Sequence, residues 1–230
     1  MKLRSLFIVS SLLLFLSFSA NSQVKSKSKT SVGLQTGLNR GFGISGNLTI
    51  QNIAEGLPGN IRFAIGHTWL DPGIAADARK IFINDATNGT PEKKGYTNDF
   101  RLDYMMPHKF FNFKDSYLVF GPRYSSFNGN FNYVGGNENF DIKTKQWGIG
   151  LGAENYFKMT RELDLGIIAG LDYFFNSTLK GHDTSYSPNN DNVNGRDDDN
   201  DEPYTYKDAN KAVKQPQFMP RILIGVQYHF

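Results

Sequence analysis

The sequence predicts an all-β protein, an eight-stranded antiparallel up-and-down transmembrane β-barrel. From Ser31 onward the apolar residues recur with a period of two rather than 3.6. Eight such segments run about 9–14 residues, enough for a tilted strand to cross a bilayer, which takes about 9–11. Strands of soluble proteins are nearer 5–6. The connections alternate between short and long, the asymmetry that outer-membrane barrels show between their periplasmic turns and outer loops.

The segments follow in order. Residues 31–39 place Val32, Leu34 and Leu38 on one face. Residues 43–53 set Ile44, Leu48 and Ile50 against Ser45, Asn47, Thr49 and Gln51. Residues 61–70 set Ile61, Phe63, Ile65 and Trp69 against Arg62, Gly66 and Thr68. In 96–106, Phe100, Leu102, Tyr104 and Met106 oppose Arg101 and Asp103. In 116–127, Leu118, Phe120 and Tyr124 oppose Gly121 and Arg123, although Pro122 has no N–H for a ladder. Residues 146–157 alternate Trp147, Ile149, Leu151 and Ala153 with Gln146, Gly148, Gly150, Gly152 and Glu154. Residues 163–175 alternate seven apolar positions, Leu163 to Phe175, with Asp164, Gly166, Gly170 and Asp172. In 221–230, Ile222, Ile224, Val226, Tyr228 and Phe230 alternate with Arg221, Leu223, Gly225, Gln227 and His229. The brief connections are 54–60, 107–115 and 158–162; the long ones are 71–95, 128–145 and 176–216. The first, around Asn39-Arg40-Gly41, is also short.

Ahead of the barrel, residues 1–22 read as a cleaved signal peptide. Lys2 and Arg4 are its positive start, Leu6 to Phe18 its apolar run, and Ala20-Asn21-Ser22 its small-residue cleavage site. Residues 23–30, QVKSKSKT, are a flexible lead, and 31–230 the barrel. The chain has 230 residues, 25 Lys+Arg against 22 Asp+Glu, and no cysteine. The near-balance of charge leaves no footprint for nucleic acid. The lack of cysteine excludes disulfides and thiolate metal sites.

With the apolar faces toward lipid, the other faces enclose Arg62, Arg101, Arg123 and Arg221 together with Asp103, Glu154, Asp164 and Asp172. Four cations facing four carboxylates is the expected balance for buried charge. The interior of an eight-stranded barrel is just wide enough for side chains to fill it. These residues therefore read as a packed polar core, with an ion path as the rival. Trp69 closes one strand and Trp147 opens another at the outer rim. Phe110, Phe111, Phe113, Phe157 and Phe230 collect at the periplasmic rim, as aromatic girdles do.

The last strand, ending Tyr228-His229-Phe230 with apolar residues at every second position back to Ile222, resembles the C-terminal assembly signal of bacterial outer-membrane proteins. With the signal peptide and eight strands, the chain resembles the small outer-membrane β-barrel family of the OmpA/OmpX type. Gln23 at the mature start and the segments GPRYS (121–125) and WGIGLGAE (147–154) are similar to Bacteroidetes-type members. The resemblance implies outer-membrane lipid as surroundings and insertion by the barrel assembly machinery. Val226, Tyr228 and Phe230 would be the recognition strand, pairing by β-augmentation. It also implies that the peptidoglycan tether of longer relatives is absent.

No cofactor is implied. The acidic run 197–202, DDDNDE, carries calcium-type oxygens but no EF-hand register. Lipid A-modifying barrels raise the question of a Ser/His site. His182-Asp183-Thr184-Ser185 lies in an outer loop, but the His-x-Ser element of deacylase barrels is missing, and neighbours in a loop do not by themselves place a base on a nucleophile. Within the loop 71–95, residues 74–85, IAADARKIFIND, are a candidate short helix that folds over the mouth or binds something, with a mobile surface loop as the rival reading. The expectation is a non-enzymatic, porin-like cell-surface barrel serving surface interaction or envelope integrity. The alternatives are a narrow pore or transporter for small solutes and, behind it, a lipid A-modifying enzyme.

Overall fold

In the computed structural model eight long strands close into a ring. The structure describes residues 29–54, 56, 58–84, 88–110, 113 and 115–230; the signal peptide, most of the lead and Phe111 lie outside the described residues. The strands are β1 (Thr30–Asn39), β2 (Phe42–Gln51), β3 (Asn60–Leu70), β4 (Thr90–Pro107), β5 (Asp115–Val134), β6 (Asn139–Lys158), β7 (Leu163–Phe174) and, after the two-residue β8 (Leu179–Lys180) and β9 (Ser185–Tyr186), β10 (Phe218–His229). Each pairs antiparallel with its neighbour. The ring shuts where β1 meets β10, from Ser31 opposite His229 to Asn39 opposite Arg221. Closure leaves the eight-strand wall without an edge to recruit another chain.

Pro122 is accommodated where its missing N–H matters least. The β5–β6 ladder runs through it, opposite Ile149. The β4–β5 ladder breaks there, between Arg101 opposite Arg123 and Tyr104 opposite Phe120. Beside the break, a Cβ on Gly121 would lie 1.9 Å from the Leu102 carbonyl oxygen, so only glycine fits.

Three strands are longer by seven or eight residues than the sequence pattern suggests. Residues 128–145 are not a loop: they are the upper halves of β5 and β6, joined by the turn 135–138. β4 likewise starts at Thr90 rather than 96, while β2 ends at Gln51 rather than 53. The upper halves escape a single period-two pattern because the two faces exchange character. On β5 the outward Leu118, Phe120 and Tyr124 give way to Ser126, Asn128, Asn130 and Asn132. The inward Arg123 and Ser125 give way to Phe127, Phe131 and Tyr133. On β6 the outward Asp141, Lys143 and Lys145 precede Trp147, Ile149 and Leu151, while the inward Phe140 and Ile142 precede Gln146 and Gly148. Each strand is polar inside and apolar outside along one half, and the reverse along the other.

Above that exchange the long connections pack into a cap. Helix α1 (Ala75–Phe82) buries Ala75, Ala78, Ile81 and Phe82. Helix α2 (Tyr206–Ala212) starts at a capping box, in which Thr205 and Asp208 satisfy each other's backbone N–H groups. Phe127, Phe131, Phe140, Ile142, Leu179 and Tyr186 complete an apolar core with the helices. The hydroxyls of Tyr133 and Tyr186 donate to the Ala75 and Ile81 carbonyls at 2.8 and 2.9 Å, so both buried phenols are satisfied. Residues 71–84 and 176–216 are thus largely a folded lid.

Candidate functional site

The lumen beneath the cap is filled by one ion-pair network. Arg62 grips Glu154 with both terminal nitrogens, at 2.7 and 2.6 Å, a bidentate pairing that also fixes the plane of the guanidinium. It reaches Asp103 as well, at 2.9 Å. Arg123 joins Asp103 to Asp172, 2.7 Å from each. Arg221 adds to Asp172 at 3.0 Å, and Arg101 lies between Asp99 at 3.6 Å and Asp172 at 3.9 Å. All eight groups are buried. A Cβ on Gly150 would fall within 2.3 Å of both Arg123 and Asp172, so the bare backbone of β6 makes room for their contact.

Seven of the eight expected lumen residues therefore meet. Asp164 does not. It sits at the end of the barrel between Lys158 and Gln227 of the neighbouring strands, 2.8 Å from His229 Nε2, and Gln51 approaches the other ring nitrogen at 3.5 Å. Asp99 takes its place in the network. The signal for Asp99 is present in the sequence: it continues the same-face series Asp99, Arg101, Asp103 on β4, just before the stretch where the outward apolar row becomes clear.

Outside, an apolar band circles the barrel and two aromatic rows bound it. At the cap end Phe42 stacks on Trp69, Tyr124 meets Trp147 edge-on, and Tyr173 meets Phe218. Trp147 does not open its strand, since β6 begins at Asn139; it marks the level at which the outward face turns apolar. At the other end Phe113 packs on Phe157, and Tyr228 on Phe230. Val226, Tyr228 and Phe230 all point outward on the closing strand.

The cap is tied down by charge. Asp71 accepts from Lys93 at 2.8 Å and lies 3.5 Å from Lys214. Arg40, in the β1–β2 turn, donates to the Gln215 carbonyl at 2.9 Å. Burial opposes ionisation of Asp71, but the hydrogen bonds from Lys93 and the Gly73 N–H outweigh it and hold the carboxyl below its ordinary range. In the acidic run, Asp198 accepts from the backbone of Glu202 and Asn200, which holds its carboxyl low. Among the described residues no cluster of three metal-ligating side chains occurs. His182 and Asp183 form an exposed pair at 2.7 Å, and Thr184 beside them is buried. Among the described residues no histidine ring takes a serine or threonine hydroxyl as partner.

Comparison with solved structures places this geometry. A major outer membrane protein from Thermus thermophilus superposes with a TM-score of 0.69 at 23% identity, covering 89% of this chain and 100% of that one. The chain has the fold of an eight-stranded outer-membrane barrel. Neisserial surface protein A also matches, with a TM-score of 0.37 and 12% identity over 88% of this chain and 96% of that one; the fold assignment rests on the first. No protein-family model matches the chain, and no curated protein matches its sequence.

Proposed function

We propose that this is a bacterial outer-membrane protein whose apolar band lies in the bilayer, with the capped end outside. In this reading it serves surface interaction or envelope integrity through its cap and does no chemistry. The observation that carries this is the exchange of faces on β5 and β6. An outward apolar face over a charged interior suits lipid, and the same strand a few residues later suits water. No single solvent accounts for both halves. The signal-peptide pattern of residues 1–22 supports export, and the terminal Tyr228-His229-Phe230 supports insertion by the barrel assembly machinery. Together with eight strands, these features favour kinship with the small OmpA/OmpX-type barrels of the Bacteroidetes kind.

The division of labour follows from the geometry. The band anchors, the ion-pair network locks the wall from within, and the cap presents a folded surface. A narrow pore is the competing reading, and the network and cap both stand across its path. Gel migration of the membrane fraction with and without boiling tests the proposal. A band that shifts on boiling is expected. A protein that stays in the soluble fraction and does not shift would mean that the apolar band meets another protein surface rather than lipid.

A further inference from the structure

On the outer wall of β3–β6 two register rows lie one above the other. In the lower, Ile65 faces Phe100, Phe100 faces Tyr124, and Tyr124 faces Trp147. These line an apolar groove of about 1120 Å³ that continues down past Leu48 and Phe63, large enough for a sizeable ligand. In the row immediately above, His67 faces Asn98, Asn98 faces Ser126, and Ser126 faces Lys145. His67 Nδ1 is 2.7 Å from Asn98 Oδ1. One step higher, Lys143 stands directly opposite Lys180 of β8. Like charges at directly paired positions repel. Asp141, 3.3 Å from Lys143, offsets one charge, and Glu138 and Asp183 line the hollow that also holds Lys143, Lys145 and Lys180. Among the described residues no carboxylate lies within ion-pair distance of Lys145 or Lys180.

We propose that this wall is a site for an outer-leaflet amphiphile with a phosphate-type anionic headgroup. Its acyl chain lies in the groove below Trp147, and its head sits against Lys143, Lys145 and Lys180, relieving their repulsion. The proposal rests on the bilayer reading above. The occupant is argued from the continuity of groove and cationic row: a soluble anion has no use for the groove, and a lipid without net charge has no use for the lysines.

The test uses the folded protein in zwitterionic micelles, titrated with dimyristoyl phosphatidylglycerol or its phosphatidylcholine counterpart. The two lipids share chains and differ in head charge. Only two tryptophans exist, so Trp69→Phe leaves Trp147, between groove and lysines, as the reporter. Native mass spectrometry counts retained lipid. Phosphatidylglycerol is expected to be retained about tenfold more tightly and to shift Trp147 emission. A Lys143→Glu/Lys145→Glu/Lys180→Glu variant is expected to erase that preference, a difference of about 1.4 kcal/mol. Inorganic phosphate is expected not to compete. Equal retention of both lipids, an unchanged preference in the triple variant, displacement by inorganic phosphate, or a dimer filling the groove would each overturn the proposal. The lysines lie beyond the apolar band, so heat-modifiable migration persists in the variant. Its presence without lipid preference refutes the site alone, whereas its absence in the wild-type chain refutes the membrane reading.

Discussion

At the scale of single residues, Asp172 is where the lumen is most exposed to loss. It takes charge from Arg123, Arg221 and Arg101 together. Asp172→Asn leaves three buried guanidiniums with less counter-charge, and breaking a buried pair costs about 3–5 kcal/mol. The expected result is a lower urea midpoint in lipid vesicles, with the barrel still closed. Leu151 tests the opposite face. It points outward on β6 between the rows of Trp147 and Phe157. Leu151→Arg is expected to cost about 2–4 kcal/mol near the midplane; no loss in vesicle-refolding titrations would place lipid elsewhere. Neither residue acts through an isolated contact: Asp172 gathers arginines from three other strands, and Leu151 is one member of a band.

At the scale of elements, the cap and the closing strand carry separate predictions. Asp71 joins β4, through Lys93, to the strap after α2, through Lys214. Its folded carboxyl titrates below its ordinary value of about 3.8. Its contribution is therefore complete above that value and is lost as pH falls through the depressed one. The group is half exposed, so the effect is small, under about 1 kcal/mol. Protection of residues 71–84 against hydrogen exchange, relative to the intrinsic rate, should fall below about pH 4, and Asp71→Asn should bring that lower protection to neutral pH. The closing strand is where the proposed recognition by the assembly machinery is tested. Phe230 is largely exposed, yet its N–H bonds to the Thr30 carbonyl at 3.0 Å, at the seam where the ring shuts. Deleting Phe230 is expected to slow assembly in cells while leaving the refolded barrel intact; undiminished membrane yield would refute a role in recognition.

At the scale of the whole molecule, the barrel is shut twice, by ion pairs in the wall and by an apolar lid above them. Planar bilayers containing the folded chain are expected to show conductance at background. Asp172→Asn alone is expected to leave it there, because the cap core built on Phe131, Phe140 and Tyr186 still covers the mouth. Sustained unitary currents from the wild-type chain would favour the pore reading. A lid with its own buried core also predicts two unfolding events. The cap is held by water-driven burial and the wall by a closed ladder, so denaturant reaches the first more easily.

The alternation of apolar and polar residues, with the length of the segments and the alternation of short and long connections, determined the eight-stranded barrel and which residues from Val32 to Phe230 share a face. A period of two assigns faces without knowledge of neighbours. It determined most of the lumen set too, because a charged residue on the face opposite an apolar row has nowhere else to go. The tertiary structure alone decided the rest. Asp164 and Asp172 share one face of β7, and only strand tilt and register send one to His229 and the other into the arginines. The upper halves of β5 and β6 read as loops because their alternation inverts: the same period means opposite things on either side of a change of solvent. The cap was least legible, since α1, α2 and the inward aromatics of β5 and β6 come from distant stretches of the chain, and their apolar faces acquire meaning only when closure of the ring brings them over one mouth.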